Sequence, residues 1–214
     1  MNTFRTNLRA KGWYVMDYDA WYSIAILMLV KYANMNLQST VGFGYSIGSS
    51  PIASGDADTV LGLDGSKTGV TTNESVLTFG IENFYANEWK FLDGLFGYGG
   101  YLYKKDVEDM TSDPTSASDL TGGTYEKINT AVIASASKSA ISDISFDSTH
   151  PHMMFPTAVG SPNPSGDACW SNTNFNCVFA GGAFAFGLSA GLFAFAVNDA
   201  VGGAGSGVGV CAIE

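Results

Sequence analysis

The two histidines of the chain are the residues whose chemistry is easiest to recognise. His150 and His152 flank Pro151, and Asp147 lies three residues before the first of them. Imidazole and carboxylate groups are ordinary zinc ligands, so these side chains are candidates for a metal site. However, Pro151 fixes an extended or turn geometry between the histidines, and the spacing specifies no third or fourth ligand. The sequence therefore predicts no metal site and no cofactor.

Three aspartates raise the question of calcium. Asp56, Asp58 and Asp64 lie in a segment rich in Gly, Ser and Thr. They lack the Asp-x-Asp-x-Asp-Gly register and terminal Glu of an EF-hand loop, and the chain has no Glu-Pro-Asn or Gln-Pro-Asp motif. We interpret these residues as solvated acids of turns.

The three cysteines offer little chemistry by their spacing. Cys169, Cys177 and Cys211 cannot all pair within one chain, and they match no zinc pattern. We expect buried thiols with at most one disulfide.

The charge balance excludes one class of partner. The 214 residues include 10 Lys and Arg against 20 Asp and Glu, for a net charge of −10, and no cation follows Lys138. Because a nucleic-acid surface needs clustered cations, we expect no nucleic-acid partner. The longest apolar run, Ile24 to Val30, is far shorter than the roughly 20 residues of a membrane span, so we also expect no membrane insertion.

The chain begins with a weakly patterned segment and then a strong helical signal. Residues 1–11 are polar, and we predict an N-terminal arm or linker before one domain at 12–214. Asp17 and Asp19 are both good N-cap types, and apolar residues then recur at spacings of three and four. This pattern predicts a helix from Asp19 to about Asn34 that is apolar on most sides and buried.

Short strands and turns are predicted for much of the remaining chain. Residues 41–78 indicate turns and short strands. Trp89 and Phe91 alternate with their neighbours, which predicts a strand at 88–92 with one aromatic face, and Asp93-Gly94 is typical of a turn. Residues 127–144 leave helix and strand both open.

The C-terminal region combines aromatic and small residues. Phe184 and Phe186 alternate with alanine, as do Phe193 and Phe195, and this period of two predicts strands. The glycines between 201 and 210 favour an irregular backbone before a last short strand at 208–213.

These motifs support a resemblance to a known family. Residues 181–195, GGAFAFGLSAGLFAF, resemble the Gly-Gly-x-Trp-x-Asn-Gly-x-x-x-Gly-x-Phe stretch of the formylglycine-generating-enzyme type of C-type lectin fold. Specifically, they resemble the branch found in phage tail proteins and in variable proteins diversified by retroelements. Residues 79–95 resemble that family's Gly-Ile-Glu-Asn-x-x-x-Asn-x-Trp-x-x-x-Asp-Gly signature, and residues 13–38 resemble the segment before it. The resemblance covers about residues 4–214.

The resemblance implies a fold class and a way of working. The expected fold is α+β and C-type-lectin-like, with a buried N-terminal helix, short twisted strands and a loop-rich C-terminal face. The family's terminal Arg falls at Cys211, and several of its Asn positions are Ala or Gly here, among them Ala196. Enzymatic relatives use a reactive cysteine pair and copper, and nothing in this chain matches that pair, so we expect no enzyme.

The function implied by the resemblance is recognition of a host surface. We expect a virion or tail-fibre receptor-binding protein, or a retroelement-diversified protein, that recognises a host-surface protein or glycan. Its location would be the virion, or otherwise the cell surface or the extracellular space, with other virion proteins as partners and a homo-oligomer, a trimer in a tail fibre. Phe184, Phe193 and Phe195 occupy framework positions, and the ligand-binding positions would be Ala183, Ala185, Phe186, Leu188, Ser189, Ala194, Ala196 and Asn198.

The small apolar residues of this face also suit a second role. Alanine and glycine stand where the family carries polar residues, and such a surface is readily buried between subunits. The alternative is therefore a structural virion protein whose C-terminal face is buried in a symmetric oligomer, with no receptor. Under both hypotheses the sequence predicts an uncharged, apolar C-terminal face that meets another protein.

Overall fold

The fold is α+β, mostly sheet, with few helices and a curled main sheet. The computed structural model describes residues 2–60, 62–66, 68–69, 71–202 and 207–213. The helices are α1 (Asn2–Arg9), α2 (Tyr18–Tyr32) and α3 (Ala117–Asp119), with a π turn at Leu120–Thr124 and 3-10 turns at Leu37–Ser39, Asp56–Thr59, Val107–Asp109 and Gly187–Ser189. Within the described residues, no helix has the length and apolar character needed to cross a membrane.

Most strands belong to one sheet. In chain order the strands are β1 (Tyr14–Val15), β2 (Gly65–Ser66), β3 (Val76–Thr78), β4 (Ile81–Glu82), β5 (Trp89–Tyr98), β6 (Tyr101–Lys104), β7 (Glu126–Lys127), β8 (Ala136–Phe146), β9 (Met154–Val159), β10 (Ala168–Ser171), β11 (Asn176–Ala180), β12 (Phe195–Val197), β13 (Val208–Gly209) and β14 (Ala212–Ile213). The main sheet runs β7-β6-β5-β11-β12-β10-β8-β9, and β13 joins β5. Strands β1 and β14 pair separately, as do β2, β3 and β4. In the segment 127–144, which the sequence left open between helix and strand, Lys127 and residues 136–144 are strand.

Helix α2 confirms the predicted helix, but less of its surface is buried than the sequence predicts. The Asp17 carboxylate caps the helix by accepting a 2.8 Å hydrogen bond from the Ala20 amide. One face is buried, and its Trp21 ring stacks on Phe84 with centroids 4.1 Å apart. The opposite face exposes Val30 at 76%, so the helix is buried on one side rather than on most sides.

The first eleven residues differ from the predicted arm or linker, because most of them form α1 and dock on the domain. Arg5 is only 3% exposed, and its guanidinium donates to both carboxylate oxygens of Asp93, at 2.8 and 2.5 Å, and to Asp113 at 2.8 Å. Arg9 donates to the carbonyl of Met110 at 2.8 Å and to that of Val107. These partners lie about 90 to 110 residues away in sequence, so the local pattern does not reveal that Arg5 is buried while most of the segment stays exposed.

Strand β5 continues through the predicted Asp93-Gly94 turn. A Cβ at Gly94 would lie 2.2 Å from the Lys105 carbonyl oxygen, so glycine permits a close approach of two backbones here. The turn comes later, at Gly99-Gly100, where both residues have positive φ and Tyr98 pairs with Tyr101. Two glycines between paired strands form a preferred tight hairpin loop.

Replacing Arg5 by Met should strongly destabilise the protein. Burial alone would lower the pKa of Arg5, but the hydrogen bonds that Arg5 donates to Asp93 and Asp113 outweigh it and raise that pKa. Losing the cation leaves the buried Asp93 carboxylate unpaired, which costs about 3–5 kcal/mol. Urea unfolding of R5M should show this loss, whereas the exposed control K11M should stay within about 0.5 kcal/mol of wild type. A cost below about 1 kcal/mol for R5M would show that α1 is not held by this pair.

Candidate functional site

An open groove of about 800 Å³ lies between two loops, one at 45–49 and one at 185–187. We call it the loop groove. Its lining residues are Tyr45, Ser46, Ile47, Gly48, Ser49, Lys138, Ala185, Phe186 and Gly187. Two of the residues expected to bind a ligand, Ala185 and Phe186, are among them.

Backbone hydrogen bonds join the two loops across the groove. The Gly48 amide donates to the Phe184 carbonyl at 2.6 Å, and the Gly187 amide donates to the Ser46 carbonyl at 2.8 Å. The Phe184 amide donates to the Asn87 carbonyl at 2.9 Å. Because the backbone groups of both loops bond to each other, the groove has a defined shape before any ligand arrives.

One asparagine side chain braces the first loop, and a second holds the chain just after it. Asn73 Oδ1 accepts from the amides of Ser46 and Ile47 at 2.8 and 2.7 Å, and its Nδ2 donates to the Ile47 carbonyl at 2.7 Å. The buried Asn87 side chain bonds both the amide and the carbonyl of Ile52, at 2.9 and 3.0 Å. Sequence reasoning assigned no role to either residue, since a side chain that replaces a backbone partner has no periodic signal.

The second loop is not the strand that the Phe-Ala alternation predicts. Gly181 and Gly182, with φ of 87° and 74°, end β11 before Phe184 is reached. A Cβ at Gly182 would lie 2.5 Å from the Ala190 Cβ, so glycine lets the loop close on itself. The buried Gln38 side chain then holds the loop by donating to the Ala190 carbonyl.

The eight expected ligand-binding residues divide by exposure. Ala185, Leu188 and Asn198 are exposed, and Phe186 and Ser189 are half-buried. Ala183, Ala194 and Ala196 are at most 3% exposed and pack in a core cluster with Trp89 and Phe179. These three alanines are therefore part of the interior and do not reach a ligand in this structure. The expected framework residues Phe193 and Phe195 are buried, and Phe184 is partly buried.

An aromatic cluster supports the Phe186 side of the groove. The Phe186 ring meets the Trp170 and Trp89 rings edge to face, with centroids 4.9 and 5.5 Å apart, and the two indoles meet at 5.4 Å. Each such pair contributes about 0.5–1.5 kcal/mol beyond its buried area, so the Phe186 ring is firmly held. Trp170 lies on a different strand, β10, so local sequence patterns do not predict its contact with Phe186.

One cation reaches the groove from β8. The exposed Lys138 ammonium lies 5.9 Å from the centroid of the Phe186 ring. The sequence predicted an uncharged C-terminal face, since no cation follows residue 138. Sheet pairing corrects this prediction, because the strand that carries Lys138 packs beside the C-terminal strands.

A buried carboxyl group anchors the segment that follows the groove. Asp167 is 1% exposed, and its Oδ2 accepts from the Phe193 amide at 2.8 Å. Burial raises the pKa of Asp167 well above its usual value, although the hydrogen bond opposes the rise. A Cβ at Gly191 would lie 2.1 Å from Asp167 Oδ1, so glycine is needed for this contact.

A second cavity, of about 420 Å³, brings together a lysine and a cysteine. Lys90 and Cys211 both line it, and the Lys90 ammonium donates to the carbonyls of Ala86 and Glu88 at 2.9 and 2.6 Å. Burial lowers the pKa of Lys90 to about 8 and raises that of the Cys211 thiol.

All three cysteines are free, so the disulfide that the sequence left open is not formed. Burial also raises the pKa of Cys169 to about 11 and that of Cys177 to about 12, which keeps these thiols protonated at neutral pH.

The histidines pair with carboxylates on separate elements. His150 lies 3.2 Å from Asp147 and 3.2 Å from Glu126, whereas His152 Nε2 lies 2.7 Å from Asp19. Burial would raise the pKa of Asp147, but hydrogen bonds from Thr149 and from backbone amides lower it below its usual range. Across the described residues, no group of three His, Cys, Asp or Glu side chains could hold a metal ion.

Replacing Asn73 by Ala should loosen the first loop without unfolding the protein. The change removes the acceptor of two amides and the donor to one carbonyl. Hydrogen exchange followed by mass spectrometry should show roughly tenfold faster exchange at Ser46 and Ile47, corresponding to about 1.4 kcal/mol of lost protection. The matched control N34A removes an exposed asparagine outside the groove and should leave these amides unchanged. Equal exchange rates in N73A and wild type would exclude the bracing role.

Replacing Asp167 by Asn should change how stability depends on pH. Because the folded-state pKa is raised, the Asp167 contribution is fully favourable below the unfolded pKa near 4 and is lost as pH rises toward the folded pKa. The neutral amide removes this loss, so the melting temperature of D167N relative to wild type should be higher at pH 7.5 than at pH 4. A constant difference between the two pH values would show that Asp167 does not titrate in this way.

The comparisons with known proteins identify no family for this chain. A scan against protein-family models finds no match, and a search of curated proteins finds no match either.

Proposed function

We propose that the chain is a recognition module that binds a ligand on a host-cell surface, either a protein or a glycan, through the loop groove. The observation that carries this proposal is the concave site between two loops that are hydrogen-bonded to each other and braced by Asn73 and Asn87. Preformed concave sites with apolar walls and a few polar groups are typical of ligand binding. Loops on a rigid scaffold allow recognition to vary while the core is kept.

The proposed fold is the C-type-lectin-like fold of the formylglycine-generating-enzyme type. Two observations support it. The chain regions that carry the family-like motifs, 79–95 and 181–195, are neighbours in space, because β5 pairs with β11 and Phe184 bonds to Asn87. One face of helix α2 is buried against the residues that precede β5, through the stacking of Trp21 on Phe84.

The proposed setting is a virion, as a tail or fibre protein that attaches to the host. The support is the family resemblance together with apolar side chains that the domain leaves exposed around the groove. Ile47 is 61% exposed and Leu188 is 56% exposed, and both lie on or beside its loops.

Two substitutions in the loop groove should abolish binding while leaving the fold intact. Ala185→Trp fills the groove, and Ile47→Asp places a charge on its exposed apolar rim. Saturation binding of the fluorescently labelled protein to intact bacterial cells of a strain panel should fall at least about tenfold for both variants on any strain that wild type binds. The matched control Leu63→Asp changes an equally exposed aliphatic residue outside the groove and should bind as wild type does.

The same variants separate recognition from a purely structural role. If the groove is buried between subunits, light scattering will show an oligomer for wild type that dissociates in A185W and I47D. Retained cell binding by both variants, with unchanged circular dichroism and melting temperature, would contradict the site. Absence of binding to every strain by wild type, together with a groove-dependent oligomer, would favour the structural virion protein.

A further inference from the structure

A β-bulge sets the position of Lys138. Cys169 and Ser171 of β10 pair with Ser139 and Ala136 of β8, so β8 carries one more residue than β10 between these pairs. Ser137 and Lys138 therefore both stand opposite Trp170. Bulges of this kind bend a strand and redirect a side chain, and they are frequent beside functional sites.

The backbone at Lys138 is strained. Its φ is 51°, in the left-handed region that lysine rarely adopts. A residue held in this region costs on the order of 1–3 kcal/mol, and such strain is concentrated at binding and active sites. The bulge and the strain together place the Lys138 ammonium at the rim of the loop groove, 5.9 Å from the Phe186 ring.

The electrostatic setting makes this cation distinctive. The protein carries a net charge of −10, and of the described residues that line the groove only Lys138 is charged. An anionic ligand is repelled by most of an acidic surface, so a lone exposed ammonium beside an apolar wall favours a single negative charge at this position.

The size and lining of the groove favour a saccharide over a protein. Its volume of about 800 Å³ lies within the range of small-ligand sites, roughly 300–1,000 Å³, whereas a stable protein interface covers about 800 Å² on each partner. The Phe186 ring offers an apolar surface to the C–H groups of a sugar. The Tyr45 phenol and the Ser49 hydroxyl line the same groove and offer hydrogen bonds.

We propose that the loop groove binds a sugar that carries a carboxylate, with the ring against Phe186 and the carboxylate paired to Lys138. This inference rests on the proposed function, because it specifies the ligand of the same site. The bulge then contributes to specificity, because it redirects the Lys138 side chain.

The test uses a panel of immobilised saccharides in which each carboxylated sugar is paired with its neutral counterpart. Sialyllactose with lactose and glucuronate-terminated with glucose-terminated disaccharides are suitable probes. We expect wild type to prefer the carboxylated member by about tenfold at low salt, with the preference falling as salt screens the charge. K138N removes the cation and supplies a residue that tolerates positive φ, so it should abolish the preference, whereas K138R should keep it.

The control K11N makes the same change of net charge at an exposed lysine outside the groove, and it should retain the preference. Equal binding of both members of every pair, or binding of neither member by a protein that still binds host cells, would overturn the acidic-sugar assignment and leave the proposed function standing. Protease-sensitive cell binding that saccharides do not compete would identify a protein ligand instead. A wild-type protein that binds neither cells nor saccharides would overturn both.

Discussion

The buried carboxylate of Asp93 is the constraint on which the fold depends most. It lies in the middle of β5, and a carboxylate at that depth must be paired. Arg5 supplies the partner and thereby fixes α1 against the sheet. Strand β5 in turn pairs with β6, β11 and β13. The Arg5–Asp93 ion pair therefore connects the N-terminal helix to a strand that also pairs with strands from the C-terminal part of the chain.

The shape of the loop groove also depends on strand β5. Asn87 lies two residues before β5 and bonds to both loops that form the groove, and Trp89, the first residue of β5, supports the Phe186 ring. The loop backbone is satisfied internally, and this leaves exposed side chains such as Ala185 and Leu188 free to vary without loss of the scaffold. Ala183, Ala194 and Ala196 do not have this freedom, because larger side chains would have to enter a packed cluster.

The positions of individual charged groups matter more in this protein than their number. Asp167 is buried against the Phe193 amide with a raised pKa, Lys90 is partly buried with a pKa near 8, and Lys138 is exposed at a bulge. Asp167 holds the segment that follows the groove, and Lys138 is the one cation among the described residues that line the groove. Both are located by contacts between strands that are distant in sequence.

The sequence by itself determined the local features of this protein. Helix α2 and the strand at Trp89 and Phe91 followed from periodicity and capping, which are local properties. The single strand predicted at 208–213 is instead two short strands, β13 and β14. Only the tertiary structure decided that residues 2–9 form a docked helix, that Phe184 and Phe186 lie in a loop, and that three of the expected ligand-binding alanines are core. It also brought Lys138 to a face that the sequence predicted to be uncharged. The physical reason is the same in each case: an ion-pair partner, a closing glycine contact and a bulge register are set by residues far apart in the chain, and local patterns do not encode them.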